Sequence, residues 1–88
     1  MKAYELLFII APSTDEETRA NTMNRIQGII TSAEGSVDNV DEINGLTDGV
    51  YTLIDFHADP AEVAELDRVL RISDVVVRHM IVKRTDRE

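Results

Sequence analysis

The chain contains no cysteine, no tryptophan and only two histidines. The absence of cysteine excludes disulfide bonds and thiolate zinc sites, as is usual for a cytosolic protein. The longest apolar runs, Leu6–Ala11 and Val75–Val77, are far shorter than the roughly 20 apolar residues of a membrane helix. We therefore expect no membrane partner.

Basic residues are also scarce. Nine lysines and arginines stand against 17 aspartates and glutamates, which gives a formal net charge of −8. A protein that binds nucleic acid by itself usually has a basic face. Any such binding by this chain must therefore be local, assisted by a partner, or lost.

The 88 residues predict a single domain over residues 1–88. A chain of this size can form one two-layer core and has little room for a deep catalytic cavity. The first segment, Lys2–Pro12, has a large apolar residue at every even position from Tyr4 to Ile10. This alternation predicts a strand, and the additional apolar residues Leu7 and Ile9 predict a central one.

A helix is predicted after Pro12. Ser13 and Thr14 each precede a glutamate by three residues, which is the spacing of a capping box. Gly35 fits the left-handed residue that ends many helices, whereas Gly28 lies mid-helix and is expected to permit close packing. The apolar residues between these ends recur at helical spacing: Met23, Ile26, Ile30 and Ala33.

A hairpin is predicted next. Ser36–Ile43 is rich in Asp and Asn, so it is either an edge strand with a bulge or partly irregular. Asn44-Gly45 and Asp48-Gly49 predict turns. Val50–Ala58 alternates well and predicts a second strand.

The last third predicts a helix and a strand. Asp59-Pro60 is typical of a helix start, and Asp67 and Arg71 are spaced to pair on the solvent side. The helix has an apolar stripe of Val63, Leu66, Val69 and Leu70. In the strand predicted over Asp74–Arg84, one face carries Val75, Val77, His79 and Ile81, and the other carries Val76, Arg78, Met80 and Val82.

The order β-α-β-β-α-β is that of the ferredoxin-like α+β sandwich. Right-handed crossovers place the first and third strands in the centre of a four-stranded antiparallel sheet. Both helices then cover one face of the sheet. The other face stays open, and a partner is expected there.

No catalytic or metal site is expected. His57 and His79 lie on different strands without cysteine, so they do not make up a set of zinc ligands. There is no nucleophile motif, and single glycines form no phosphate loop. We expect no cofactor and no small-molecule substrate. Asp55 interrupts a good strand, and it either lies on the open face or pairs with a basic group of a partner.

Basic residues gather in the last third of the chain: Arg68, Arg71, Arg78, Lys83, Arg84 and Arg87. Lys2 begins the strand that should border the last one. Two interpretations remain open. These residues form helix ion pairs and a solubilising tail, or they form a small patch that contacts phosphates.

Two segments, MKAYELLFIIAP at residues 1–12 and ADPAEVAELDRVLRISDVVVRHMIVKR at residues 58–84, resemble the bacterial small-subunit ribosomal protein six family. The resemblance implies a structural component of the small ribosomal subunit in the cytoplasm. It also implies that the chain binds small-subunit ribosomal RNA, at a junction of its central domain, together with small-subunit ribosomal protein eighteen. The basic residues that match the family, and hence the implied RNA contacts, are Lys2, Arg71, Arg78 and Lys83. Tyr4 also matches, but its even position favours the core.

The middle of the chain departs from this family. Members usually carry a longer second strand and hairpin with a tryptophan and basic residues, whereas here no basic residue lies between Arg25 and Arg68. The shortening is natural, engineered, or due to a flexible segment absent from the sequence. The alternative function is a shortened scaffold that keeps the fold and has lost RNA binding. An acyl-phosphate hydrolase on this fold is disfavoured, because the acidic residues Asp15–Glu17 would repel phosphate.

Overall fold

Six elements follow one another along the chain in the predicted order. The structure, a computed structural model, describes residues 1–32, 34–46 and 49–85. The elements are β1 (Lys2–Ile10), α1 (Glu16–Ser32), β2 (Ser36–Leu46), β3 (Gly49–Ala58), α2 (Pro60–Ile72) and β4 (Val76–Lys83). Three sequence predictions lie outside the described residues: the helical position of Ala33, the turn at Asp48 and the solubilising tail that includes Arg87.

The four strands form one antiparallel sheet in the order β2-β3-β1-β4. The prediction that the first and third strands are central is therefore confirmed. β2 and β4 are the two edges of the sheet, and β4 is the edge strand that carries basic residues.

Both helices pack against the same face of the sheet. On β1 and β3 the buried side chains alternate along the strands, as a sheet with one covered face requires. They contact Ile26 and Ile30 of α1 and Leu66 and Leu70 of α2 in one core. Tyr4 belongs to this core and stacks on Phe56 at 5.6 Å between ring centroids. The two-layer α+β sandwich and the core position of Tyr4 are both confirmed.

The two ends of α1 differ from the prediction. The helix begins at Glu16, and the Asp15 carboxylate, not Ser13 or Thr14, accepts hydrogen bonds from the Thr18 side chain and backbone, which lower the pKa of Asp15. At the other end the left-handed residue is Glu34, with φ 67°, and not Gly35. Gly35 serves a different purpose, since a Cβ there would lie 2.2 Å from the Ile30 carbonyl oxygen.

Gly28 does not permit close packing, as the sequence had suggested. It is exposed in the interior of α1, and a Cβ built on it meets no atom within 4 Å. The helix therefore has no steric need for glycine at this position.

β2 is an edge strand with bulges, which confirms one of the two interpretations of this segment. The register shifts between Val37 and Asn39 and again between Ile43 and Leu46. At the second shift, residues 44 and 45 of β2 lie opposite a single β3 residue, Val50. Two residues that oppose one are the pattern of a bulge. The turn predicted at Asn44-Gly45 is therefore wrong.

A third bulge changes the faces at the start of β4. Ile9 pairs with Arg78, but Ile10 pairs with Val76, so Val77 is the extra residue. Val76 consequently packs against the core, whereas Val77 is 63% exposed. The predicted faces of these two valines are wrong, and those of Arg78, His79, Met80 and Ile81 are confirmed.

Candidate functional site

One part of the face of the sheet without helices, here called the open face, is apolar. Leu7 lies opposite Leu53 on one side and Met80 on the other. Met80 and Ile43 are each 55% exposed. Contiguous exposed apolar surface marks interaction sites, whereas single exposed apolar residues do not. The contiguous apolar residues of the open face are here called the apolar patch: Leu7, Ile43, Tyr51, Leu53, Met80 and Val82.

The other part of the open face is polar. Asp55 lies in register between Glu5 of β1 and Asn39 of β2. The Arg84 Nη1 donates to Glu5 Oε2 at 2.7 Å, and His57 Nδ1 lies 2.5 Å from an Asp38 carboxylate oxygen. Asp55 is therefore on the open face, which is the first of the two interpretations. A basic partner group for it stays a prediction.

The four predicted RNA contacts are divided between the two sides of the sheet. Lys83 pairs with Tyr4 and shares its helix-covered side. Lys2 precedes Tyr4 by two residues, which makes it a diagonal neighbour of Lys83 at roughly 7–8 Å. Arg71 is exposed on α2, also on the helix side. Arg78 pairs with Ile9 on the open face, so the fold brings three of the four residues to one side.

The charges of these residues are not equally available. Arg71 forms an ion pair with Asp67, which confirms the predicted helix pair. Within residues 1–32, 34–46 and 49–85, no carboxylate pairs with Arg78 or Lys83. The helix-pair interpretation is therefore confirmed for Arg71, whereas the phosphate patch stays a prediction, for which Arg78 and Lys83 remain exposed.

Asp67 joins α2 to β4, a contact that the sequence analysis missed. His79 Nε2 lies 2.7 Å from one Asp67 oxygen, and Arg71 donates to the other. The hydrogen bond to His79, followed by that to Arg71, lowers the pKa of Asp67. The sequence placed His79 on the face of β4 opposite Arg78, but which residue it contacts depends on how α2 lies across the sheet.

A groove runs between α2 and β4 beside this contact. Its apolar walls come from Tyr4, Val63, Ala64 and Ile81, and its polar rim comes from Asp67, His79 and Lys83. This α2–β4 groove lies on the helix-covered side. At the edge strand it adjoins the apolar patch of the open face, because Met80 lines both.

The described residues do not form a cluster that could hold a metal ion. Nowhere in that part of the chain do three or more His, Cys, Asp or Glu side chains gather so that they could hold a metal ion. Each histidine instead contacts one aspartate. Neither of the two helices described has the length and apolar character needed to cross a membrane.

The fold and these surfaces define a class: a small α+β binding protein with one uncovered sheet face and basic residues at one sheet edge. Comparison with known proteins then gives the family. The sequence profile described as Ribosomal protein S6 matches residues 3–83. The chain belongs to the ribosomal protein S6 family, whose members are components of the small ribosomal subunit and not enzymes.

Individual relatives support the assignment of the chain to this family. Small ribosomal subunit protein bS6 of Clostridium kluyveri is 46% identical over 92 residues, covering 94% of this chain and 97% of the relative. The protein of the same name from Clostridium beijerinckii is 43% identical over 91 residues, covering 93% and 96%. The 30S ribosomal protein S6 of Thermotoga maritima superposes with a TM-score of 0.85 at 30% identity, covering 97% of this chain and 89% of that one.

Two further comparisons bear on the fold and on the shortened middle of the chain. The C-terminal domain of MgtC from Mycobacterium tuberculosis has a TM-score of 0.77 at 13% identity, with coverage of 96% and 88%, and therefore shares the fold alone. The match of 92 residues to the Clostridium kluyveri protein exceeds the 88 residues of this chain. That relative therefore has residues that this chain lacks, and their position in the central hairpin stays a prediction.

Proposed function

We propose that this chain is a structural component of the small ribosomal subunit that binds small-subunit ribosomal RNA together with small-subunit ribosomal protein eighteen. Membership of the ribosomal protein S6 family supports the location. The division of the surface into an apolar open face and a basic edge supports two different partners. The observation that carries the proposal is the apolar patch, which is too contiguous for a face that stays in water.

A protein partner suits the open face better than RNA does. Met80 and Ile43 expose more than half of their surface, and covering them removes apolar area from water. The adjoining carboxylates of Glu5, Asp41 and Asp55 repel phosphate. The proposed occupant of the apolar patch is therefore ribosomal protein eighteen.

The RNA is assigned to the edge formed by β4 and the neighbouring end of α2. Lys2, Arg71, Arg78 and Lys83 are the proposed contacts, and phosphate binding by such side chains positions an RNA without reading its sequence. Arg78 extends from the open face and Lys83 from the covered side of the same edge strand. A backbone that passes along β4 can meet both.

Binding to the RNA junction of the central domain, measured with and without ribosomal protein eighteen at moderate salt, tests the proposal. We expect Ile43→Glu to abolish the effect of the partner, because Ile43 is exposed in the apolar patch and does not line the α2–β4 groove. Ile72→Glu is the matched control, since Ile72 is 60% exposed and lies at the end of α2, away from the apolar patch. Equal loss in both variants would contradict the assignment of the open face.

The same experiment distinguishes the proposed function from the alternative function. A shortened scaffold that has lost its RNA role keeps its fold but binds no RNA in either condition. The residues that the Clostridium kluyveri relative has and this chain lacks are the observation that favours that alternative. Partner-dependent binding by the wild-type chain would exclude it.

A further inference from the structure

The α2–β4 groove has the chemistry of a site for a flat, partly apolar ligand next to a negative charge. Tyr4, Val63 and Ile81 supply apolar walls, whereas Asp67 and His79 offer hydrogen-bonding groups on the rim. Asp67 and His79 are fixed by their mutual contact at 2.7 Å. The rim is therefore ordered before any ligand arrives.

Basic side chains lie toward both ends of this groove. Lys83 follows His79 by four residues along β4, a distance of about 13 Å at the strand rise. Arg71 lies one helical turn beyond Asp67 on α2 and donates to its carboxylate. A ligand seated between them meets a cation on either side, although the chain as a whole has a net charge of −8.

RNA offers a ligand of this shape and charge. Proteins recognise RNA sequence mainly at unpaired positions, where an unstacked base enters an apolar pocket and hydrogen-bonds through its edge. The phosphates before and after such a base carry the negative charge. An apolar peptide side chain would fill the walls but would leave Lys83 without a partner, whereas Arg71 already pairs with Asp67.

We infer that the α2–β4 groove holds one unpaired base of the RNA, with the adjoining phosphates on Lys83 and Arg71. This inference rests on the proposed function. It adds to that function a site that recognises a base, whereas the cations of the β4 edge contact only the RNA backbone. Asp67 then acts as a positioning residue, because it holds both Arg71 and the His79 ring at the groove.

Ala64 provides a neutral way to block the groove. It is exposed on α2 and lines the groove, whereas Ala61 is exposed on the same helix and does not. Ala64→Gln and Ala61→Gln add the same uncharged side chain. Glutamine is a good helix former, so both variants should fold, and their unfolding midpoints should agree.

The test measures affinity for the RNA junction in the presence of ribosomal protein eighteen, over a range of salt concentrations. We expect Ala64→Gln to weaken binding roughly tenfold, because the added side chain displaces a base that would otherwise stack in the groove. The dependence on salt should not change, since no charge is lost. Ala61→Gln should bind like the wild type.

A fluorescent adenine analogue placed at each unpaired position of the junction gives an independent signal. One position should change its fluorescence with the wild type and with Ala61→Gln, but not with Ala64→Gln. Equal affinities for the two variants, while the wild type binds, would overturn the groove and leave the proposed function intact. Weaker binding of ribosomal protein eighteen to Ala64→Gln without RNA would also overturn it, since the groove would then hold protein.

Discussion

Gly28 and Gly35 predict opposite effects of one substitution, glycine to alanine. Gly28 lies in the interior of α1, where a new Cβ meets no atom within 4 Å. Glycine in a helix interior is less favourable than alanine by about 1 kcal/mol, because it loses more backbone entropy on folding. We therefore expect Gly28→Ala to stabilise the protein by about this amount.

Gly35 is constrained by its neighbours. A Cβ there would lie 2.2 Å from the Ile30 carbonyl oxygen and 2.7 Å from that of His57. Both atoms belong to the backbone, so they cannot move aside as a flexible side chain would. Forced contacts of this kind typically cost about 1–3 kcal/mol, and we expect Gly35→Ala to destabilise the protein by at least that amount.

Urea unfolding of the wild type and the two variants measures both effects. Thermal unfolding should agree, since about 1 kcal/mol shifts the midpoint of a domain of this size by roughly 4–8 °C. Equal slopes against urea would show that the change lies in stability and not in the denatured state. A neutral Gly35→Ala, or a destabilised Gly28→Ala, would refute the steric reasoning.

Three further substitutions test the core, the Asp67 contact and the edge cations. Thr52→Val should stabilise the protein by about 1 kcal/mol in urea unfolding, because the buried Thr52 hydroxyl has no hydrogen-bond partner among the described residues; a loss of stability would contradict this. Asp67→Asn should be less stable than the wild type at pH 7, because a lowered folded-state pKa means that the ionised carboxylate stabilises the fold. The difference in stability should vanish as the pH falls through the lowered pKa of Asp67. A difference that does not depend on pH would contradict this role of the ionised carboxylate. Lys83→Gln should reduce the slope of log affinity for RNA against log salt by about 0.7–0.9, and an unchanged slope would remove Lys83 from the contacts.

The sequence was sufficient to predict the helices and strands but not the bulges within the strands. Alternation along β1 and β3 predicted central strands correctly, because burial on one face imposes a period of two. The bulges at Asp38, at residues 44 and 45, and at Val77 were not all predictable. A bulge is defined by two residues opposing one on another strand, and the identity of the opposing residue depends on register. Asn44-Gly45 therefore looked like a turn.

The same limit applies to the candidate site. Residue type, together with the resemblance to the family, was enough to select Lys2, Arg71, Arg78 and Lys83 as candidate RNA contacts. The alternation of side chains along a strand was enough to place Arg78 and His79 on opposite faces of β4. The contact between Asp67 and His79 was not visible, because these residues are 12 apart and on different elements. Its existence depends on the angle at which α2 crosses β4, which is set by packing in the core.

The strand order explains how so acidic a chain is compatible with the proposed RNA edge. The exposed carboxylates Asp38, Asp41 and Glu42 lie on β2, whereas Arg78 and Lys83 lie on β4, at the opposite edge of the sheet. Three strand spacings of about 4.8 Å put about 14 Å between these edges. Screening at physiological salt acts over about 8 Å, so the β2 carboxylates hardly weaken the field at β4. A phosphate at the β4 edge therefore responds to the charges near β4 and only weakly to the carboxylates of β2.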